Sequence, residues 1–145
     1  MADISNVGVA VAVVAATPAT IDSTGFAALS WTATVGELSM WGAIGDTSAS
    51  IDIPRISGRT THVNGAVDGG SIAFAFQYEV ADAGQVILRA NANGATTISV
   101  RVTHSDGKIT YSHGKVANLV YNEITPTTNK GMKGVFLVNS ATVTV

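Results

Sequence analysis

The segment from Arg59 to Ala92 constrains the fold most, because it joins three local signals in one order. A polar stretch ends in Asp68-Gly69-Gly70, residues typical of a turn. Residues 71–78 then alternate between large apolar side chains and small or polar ones, which predicts a strand with one buried face. Residues 82–92 have helical periodicity, with Asp82 as the predicted N-cap. The order predicts a mainly β fold with one short helix flanking a sheet.

The strand and the helix in this segment each have one apolar side. Their predicted core residues are Ile72, Phe74, Phe76 and Tyr78 on the strand, and Ala83, Val86, Ile87 and Ala90 on the helix. We expect the helix to cover a sheet through this stripe.

Period-two patterns recur along the rest of the chain. Val7, Val9, Val11 and Val13 alternate with small residues, and residues 26–44, which hold both tryptophans, form either two strands or a bent one. Residues 115–124, 130–138 and 141–145 are further predicted strands. With no linker or repeat visible, we expect one domain over residues 1–145, an antiparallel β-sandwich or barrel of two packed sheets.

Residues 97–114 have the strongest hairpin signal, because Asp106-Gly107 suits a two-residue turn. That turn pairs Val102 with Tyr111 and puts His104 and His113 on the apolar face. The opposite face is then wholly polar and should face water. Its members are Ser99, Arg101, Thr103, Lys108, Thr110 and Ser112.

The connection from Gly45 to Gly70 is long for a compact domain. It carries Ile51, Ile53 and Ile56, and Pro54 cannot donate to a regular strand ladder. We expect an extended loop or hairpin arm that docks on another subunit through these four residues. An ordinary wandering loop is the alternative.

Charged residues make up only 12% of the chain, against a typical ~25%. So little ionic surface predicts association with other copies, and a net charge of −2 argues against tight nucleic-acid binding. There is no cysteine, which excludes disulfides and thiolate chemistry. No Lys or Arg precedes the apolar run at residues 7–16, so we predict no secretory signal and no membrane insertion.

No set of residues predicts an active site. His104-Ser105-Asp106 holds the residue types of a catalytic triad, but neighbouring strand residues point to opposite faces and cannot converge. His104 and His113 would lie roughly 13 Å apart in the predicted pairing, too far to share a metal ion. We therefore expect no enzyme activity, no cofactor and no metal. Trp31 and Trp41 are predicted core or interface anchors, with carbohydrate stacking as the alternative.

The chain resembles the major tail tube proteins of long-tailed bacteriophages in the order of four segments. These are the long loop, the stretch at residues 65–74, the helix around Gly84-Gln85 and the strand-turn at residues 98–107. The resemblance covers roughly residues 31–145. It implies two packed β-sheets with a flanking α-helix, in subunits that form hexameric rings. These rings stack into a hollow tube for DNA ejection, with one sheet of each subunit lining the lumen.

The resemblance also implies a location and partners. The protein would be made in the host cytoplasm and lie in the virion tail, with copies of itself, the tape measure protein, and the tail tip and tail terminator proteins as partners. DNA would pass without sticking, and the polar face of Ser99, Arg101, Thr103, Thr110 and Ser112 would look onto the lumen or solvent. The alternatives are a β-sandwich capsid decoration or tail-fibre module, or a carbohydrate-binding or adhesion module.

Overall fold

The computed structural model describes residues 8–94, 96–128 and 130–145, and this part of the chain is mainly β, as predicted. The described residues form two short helices, α1 (Ser23–Ala27) and α2 (Ala83–Ala90). The strands are β1 (Ala10–Val14), β2 (Ala33–Thr34), β3 (Leu38–Trp41), β4 (Thr47–Ile53), β5 (Thr61–Asp68), β6 (Ser71–Gln77), β7 (Ile98–Thr103), β8 (Ile109–Tyr121), β9 (Gly131–Val138) and β10 (Val143–Thr144).

Eight strands form one antiparallel sheet that folds over on itself at β8. Its order is β2-β1-β7-β8-β9-β6-β3, with β10 also paired to β8. The first part of β8 pairs with β7 and the second with β9, and Gly114 pairs with both, opposite Ile98 and Val138. A Cβ at Gly114 would collide with the carbonyl oxygen of Leu137, so only glycine lets the two parts of the sheet meet there. The predicted strand at 115–124 is the continuation of β8.

The core lies between the two halves of this folded sheet. The first half is β2, β1, β7 and the first part of β8, and the second half is the rest of β8 with β9, β6 and β3. The first half contributes Val11, Val13 and Val100, and the second contributes Phe74 and Phe136. The predicted core strand is confirmed as β6, whose Ile72, Phe74 and Phe76 are buried and whose neighbour Tyr78 packs against the core. Only residues 35–37 separate the edge strands β2 and β3, so the sheet curls back towards itself.

Helix α2 begins after Asp82, which is the N-cap as predicted, but it buries a different face. Gly84, Gln85 and Leu88 are its buried residues, whereas the predicted stripe members Ala83, Val86 and Ala90 are exposed and Ile87 is half-buried. The helix turns a polar side chain inward because Gln85 finds three backbone partners there. Its Nε2 donates to the carbonyls of Gly36 and Gln77, both at 2.9 Å, and its Oε1 accepts from the Glu79 N–H at 2.8 Å.

Helix α1 was not predicted, because five residues are too few to show a helical period. Asp22 caps it by accepting from the Gly25 N–H at 2.7 Å. The bonds from Gly25 and Thr20 hold the pKa of the Asp22 carboxyl below its ordinary value. Phe26 is fully buried and stacks on Tyr111, with ring centroids 5.1 Å apart. The helix therefore covers the outer side of the first half of the sheet.

The β7–β8 hairpin differs from the prediction by one residue of register. Val102 pairs with Thr110 instead of Tyr111, since the loop between His104 and Lys108 has three residues and Gly107 has φ +89°. A slip of one residue turns every side chain of one strand to the other face. The all-polar face is therefore wrong: Ser99, Arg101 and Thr103 share a face with Ile109, Tyr111 and His113, while Thr110 and Ser112 lie opposite.

Candidate assembly surfaces

The segment predicted as a loop or hairpin arm forms a two-stranded hairpin, which we call the arm (residues 47–68). Its strands β4 and β5 pair with each other and with no other strand of the described residues. Every residue of β4 is exposed. Because an isolated two-stranded hairpin is marginally stable in water, the arm gains stability when a second surface covers it.

Between Ile51 and Thr61, the side chains on one face of the arm are mainly apolar and those on the other are polar. Ile51 lies opposite Val63 and Ile53 opposite Thr61, whereas Asp52 lies opposite His62. His62 Nδ1 and the Asp52 carboxylate are 2.7 Å apart, in an exposed pair that contributes little to stability. The exposed isoleucine and valine side chains give this hairpin an uncovered apolar surface.

The four residues predicted to dock all lie on the arm. Ile51 and Ile53 are on its apolar face, Pro54 directly follows β4, and Ile56 lies fully exposed at the tip. Gly58 has φ +90° and its N–H donates to the Arg55 carbonyl at 2.9 Å, which closes the turn at the tip. That these residues contact another subunit stays a prediction.

The base of the arm is held to the body of the chain. The Asp46 carboxylate accepts from the Thr142 N–H at 3.2 Å and from its hydroxyl at 3.1 Å. Asp68 accepts from the Gly70 N–H at 2.9 Å, and Gly70 has φ +71°, so this segment makes the predicted turn. Across the described ranges, no three residues of His, Cys, Asp or Glu are grouped so that they could hold a metal ion.

A second surface is the outer side of the sheet half made by β3, β6, β9 and the second part of β8. Directly opposed residues share this side: Ala75 lies opposite both Met40 and Lys133, and Val120 lies opposite Lys133. We call it the open face. Its members are Met40, Ser71, Ala73, Ala75, Lys115, Ala117, Val120, Lys133, Val135 and Leu137, all exposed or half-buried.

The open face is mostly small or apolar, with two lysines and no carboxylate among its members. Met40, Val120 and Leu137 are exposed large apolar side chains. This face was not predicted, although Lys133, Val135 and Leu137 alternate with the buried Met132, Gly134 and Phe136. That alternation was the available signal.

The five residues predicted to face the lumen or solvent lie mostly inside the chain. Ser99, Thr110 and Ser112 are buried, and Ser99 Oγ donates to the Ala16 carbonyl at 2.7 Å. Thr103 is half-buried, and the half-buried Arg101 places its guanidinium 5.4 Å from the Trp31 ring centroid. A shared wet surface made of these five residues is therefore wrong, and the exposed sheet surface is the open face.

The histidines lie on opposite faces of the hairpin, not on the same face as expected. His104 Nε2 and Thr110 Oγ1 are hydrogen-bonded at 2.9 Å on the side of Val102, whereas His113 lies opposite Ser99. Partial burial lowers the pKa of His113 below its ordinary value.

Trp31 and Trp41 pack against other aromatic rings, as predicted for anchors. The ring centroids of Trp31 and Tyr111 are 5.8 Å apart, and those of Trp41 and Phe74 are 5.3 Å apart. Neither helix among the described residues is long and apolar enough to cross a bilayer.

Solved structures with a similar fold include chains of two contractile-injection-system assemblies. A chain of the sheath/tube terminator of an extracellular contractile injection system (PVC), determined by cryo-EM in the extended state, matches with TM-score 0.66 and 7% identity over 100% of this chain and 98% of that chain. A chain of the sheath–tube complex of the same kind of system, also extended, matches with TM-score 0.62 and 8% identity over 94% of this chain and 87% of that chain. At these identities the similarity shows a shared fold. No protein-family model and no curated protein matches the sequence.

Proposed function

We propose that this chain is a structural subunit of a tail-like particle, in which copies form stacked rings around a hollow channel. The observation that carries the proposal is the half of the sheet bearing the open face. Both its edges are free for at least part of their length among the described residues: β3 pairs only with β6, and beyond Ala117 β8 pairs only with β9. Exposed strand edges are templates for pairing with another chain.

The strand directions in this half suit repetition of identical copies. Its four strands are antiparallel in the order β3, β6, β9 and β8. Because the number is even, β8 of one copy placed beside β3 of the next continues the antiparallel alternation. A head-to-tail contact of this kind closes into a ring when the rotation between copies allows it, and closure leaves no free edge. A hexamer, as the resemblance implies, is the expected ring.

The open face would line the channel of such a ring. Small side chains such as Ala73, Ala75 and Ala117 give a smooth wall, and no helix of the described residues covers this side. Its charge comes from Lys115 and Lys133, so the wall would be weakly cationic although the net charge of the chain is −2. The passage of DNA during ejection, and contacts with a tape measure protein, a tail tip and a terminator, are parts of the proposal.

A second candidate is a terminator subunit, which would form a single ring at the end of a tube. The specific observation in its favour is the match over nearly the whole of both chains to a structure of a sheath/tube terminator. The two candidates differ in stacking: a tube subunit polymerises into long tubes, whereas a terminator stops at single rings.

Deletion of residues 48–57 tests the role of the arm in assembly. The segment is exposed and its strand pairs only within the arm, so the shortened chain should fold and lose only the contacts that the arm makes. Negative-stain electron microscopy should show tubes for the full chain and none for the deletion variant. A variant with ten Gly or Ser residues in place of 48–57 controls for chain length. Tubes of normal length from the deletion variant would refute the role of the arm.

A further inference from the structure

Exposed apolar side chains lie at both ends of the open face: the arm is at one end, and a second apolar surface is at the other. β6 runs from Ser71, beside the arm, to Gln77, and its seven residues span roughly 23 Å. Gln77 lies opposite Gly131, so Tyr78, Lys130 and the end of β8 gather at the far end. We call this far end the rim; its exposed apolar residues are Val80, Tyr121 and Ile124.

The rim contains a cleft of about 320 Å³ beside β8 and β9. Tyr121, Ile124, Thr125 and Lys130 are among its lining residues. Ile124 is 91% exposed, and the Thr128 hydroxyl, which donates to the Glu123 carbonyl at 2.8 Å, closes the loop beside it. Taking ~30 Å³ per water, the cleft holds about ten waters, which is room for an isoleucine side chain and its neighbours.

The tip of the arm carries only basic charges, whereas the rim carries glutamates beside Arg89 and Lys130. Arg55 and Arg59 flank Ile56 at the tip, and no acidic residue lies between Ile53 and Thr61. Glutamates are confined to the rim: Glu123 lines the cleft, and Glu79 and Glu37 adjoin the end of β6.

The charges of the tip and of the rim glutamates are unpaired within one copy. None of these arginines and glutamates forms an ion pair within the described ranges. The rim cations are positioned differently, since Arg89 and Lys130 lie over the Tyr78 ring at 4.8 and 4.4 Å from its centroid. These ring contacts occupy no carboxylate, so the rim glutamates keep their negative charge free of an ion pair within the described ranges.

We propose that the arm tip of one copy binds the rim cleft of the next copy. Ile56 enters the cleft beside Ile124, and Arg55 and Arg59 pair with Glu123 and Glu79. The partner is a second copy of this chain, because tip and rim match in apolar character and in charge. The arm leaves the body beside Ser71, at the other end of β6 from the rim, so the contact joins two different surfaces head-to-tail, as a stack of copies requires. This inference rests on the proposed ring stacking and names the surface that receives the arm.

Cysteine cross-linking tests this contact without background, because the chain has no cysteine. A variant with both Ile56→Cys and Ile124→Cys should give, after mild oxidation under assembly conditions, a ladder of disulfide-linked oligomers on a non-reducing gel. Each single variant should stop at dimers. The matched control combines Ile56→Cys with Leu137→Cys, an exposed position at the arm end of the sheet. A ladder from the control and none from the designed pair would overturn the inference.

Charge exchange gives a second, independent readout. Arg55→Glu with Arg59→Glu should raise the protein concentration needed for assembly about tenfold or more, and so should Glu79→Arg with Glu123→Arg. Combining all four changes should restore most of the loss; no restoration contradicts the pairing. Electron microscopy of the same samples separates the two claims. Tubes without the designed ladder refute the receiving surface alone, whereas a chain that forms neither rings nor tubes refutes the proposed function.

Discussion

Replacing Gln85 by leucine tests how the helix holds the folded sheet together. Gln85 is fully buried, and its amide makes three hydrogen bonds of 2.8 to 2.9 Å to backbone groups of Gly36, Gln77 and Glu79. A leucine of similar size fills the space but satisfies none of these groups. At a net ~1 kcal/mol for each bond, the free energy of unfolding should fall by about 3 kcal/mol. For a chain of this size that corresponds to a fall in Tm of roughly 6–12 °C.

Urea and thermal unfolding of the unassembled chain measure this change. Gln77→Leu is the matched control, because that side chain is exposed near the same end of the sheet and should shift the free energy by no more than about 0.5 kcal/mol. If Gln85→Leu also changes the free energy of unfolding by no more than about 0.5 kcal/mol, the Gln85 hydrogen bonds do not hold the helix to β6 and to the β2–β3 connection.

Three further predictions concern the fold. Gly114→Ala should prevent stable folding, measured by circular dichroism, because the new Cβ would collide with the backbone of β9. The control Gly94→Ala should fold normally, since no atom lies closer than 3.9 Å to a Cβ built there. Equal stability of the two variants would contradict the close approach at Gly114. Phe26→Ala should cost about 3–5 kcal/mol in urea unfolding, since its ring is fully buried; a loss below about 1 kcal/mol would show that α1 is not part of the core. Burial lowers the pKa of His113 from 6.5, so the folded chain binds this proton more weakly than the unfolded chain. The stability that His113 contributes is complete above pH 6.5 and is lost as the pH falls through the folded pKa. Acidification should therefore lower the urea midpoint of His113→Gln less than that of the unchanged chain. The same pH dependence in both proteins would contradict the direction of this pKa shift.

Local patterns were enough to predict most of the strands and the main helix. The strands expected over residues 26–44 begin only at Ala33, because residues 26 and 27 lie in helix α1. The alternation of Ile72, Phe74 and Phe76 located β6 and its buried face, and Asp82 located the start of α2. The arm was recognised as an extended segment because its residues had no core pattern, and it is a hairpin.

The hairpin register could not be predicted, because His104-Ser105-Asp106-Gly107-Lys108 suits both a two-residue and a three-residue turn. Both turns need a residue with positive φ, which Gly107 supplies. The choice between them decides which face every side chain of the hairpin occupies. An error of one residue therefore produced a wholly polar hairpin face that the structure does not have.

The burial of Gln85 also depends on distant residues. A helical wheel places apolar residues inward, but the carbonyls of Gly36 and Gln77 are supplied by parts of the chain 49 and 8 residues away. Helix α1 is determined in the same way, since it is stabilised by the packing of Phe26 on Tyr111 more than by its own five residues.

Electron microscopy of the concentrated, purified chain tests the central claim most directly. We predict hollow tubes or stacked rings, and at higher resolution Lys115 and Lys133 on the channel wall, with β3 of each copy beside β8 of the next. Compact single particles at every concentration, or rings whose open face is turned outward, would contradict the account.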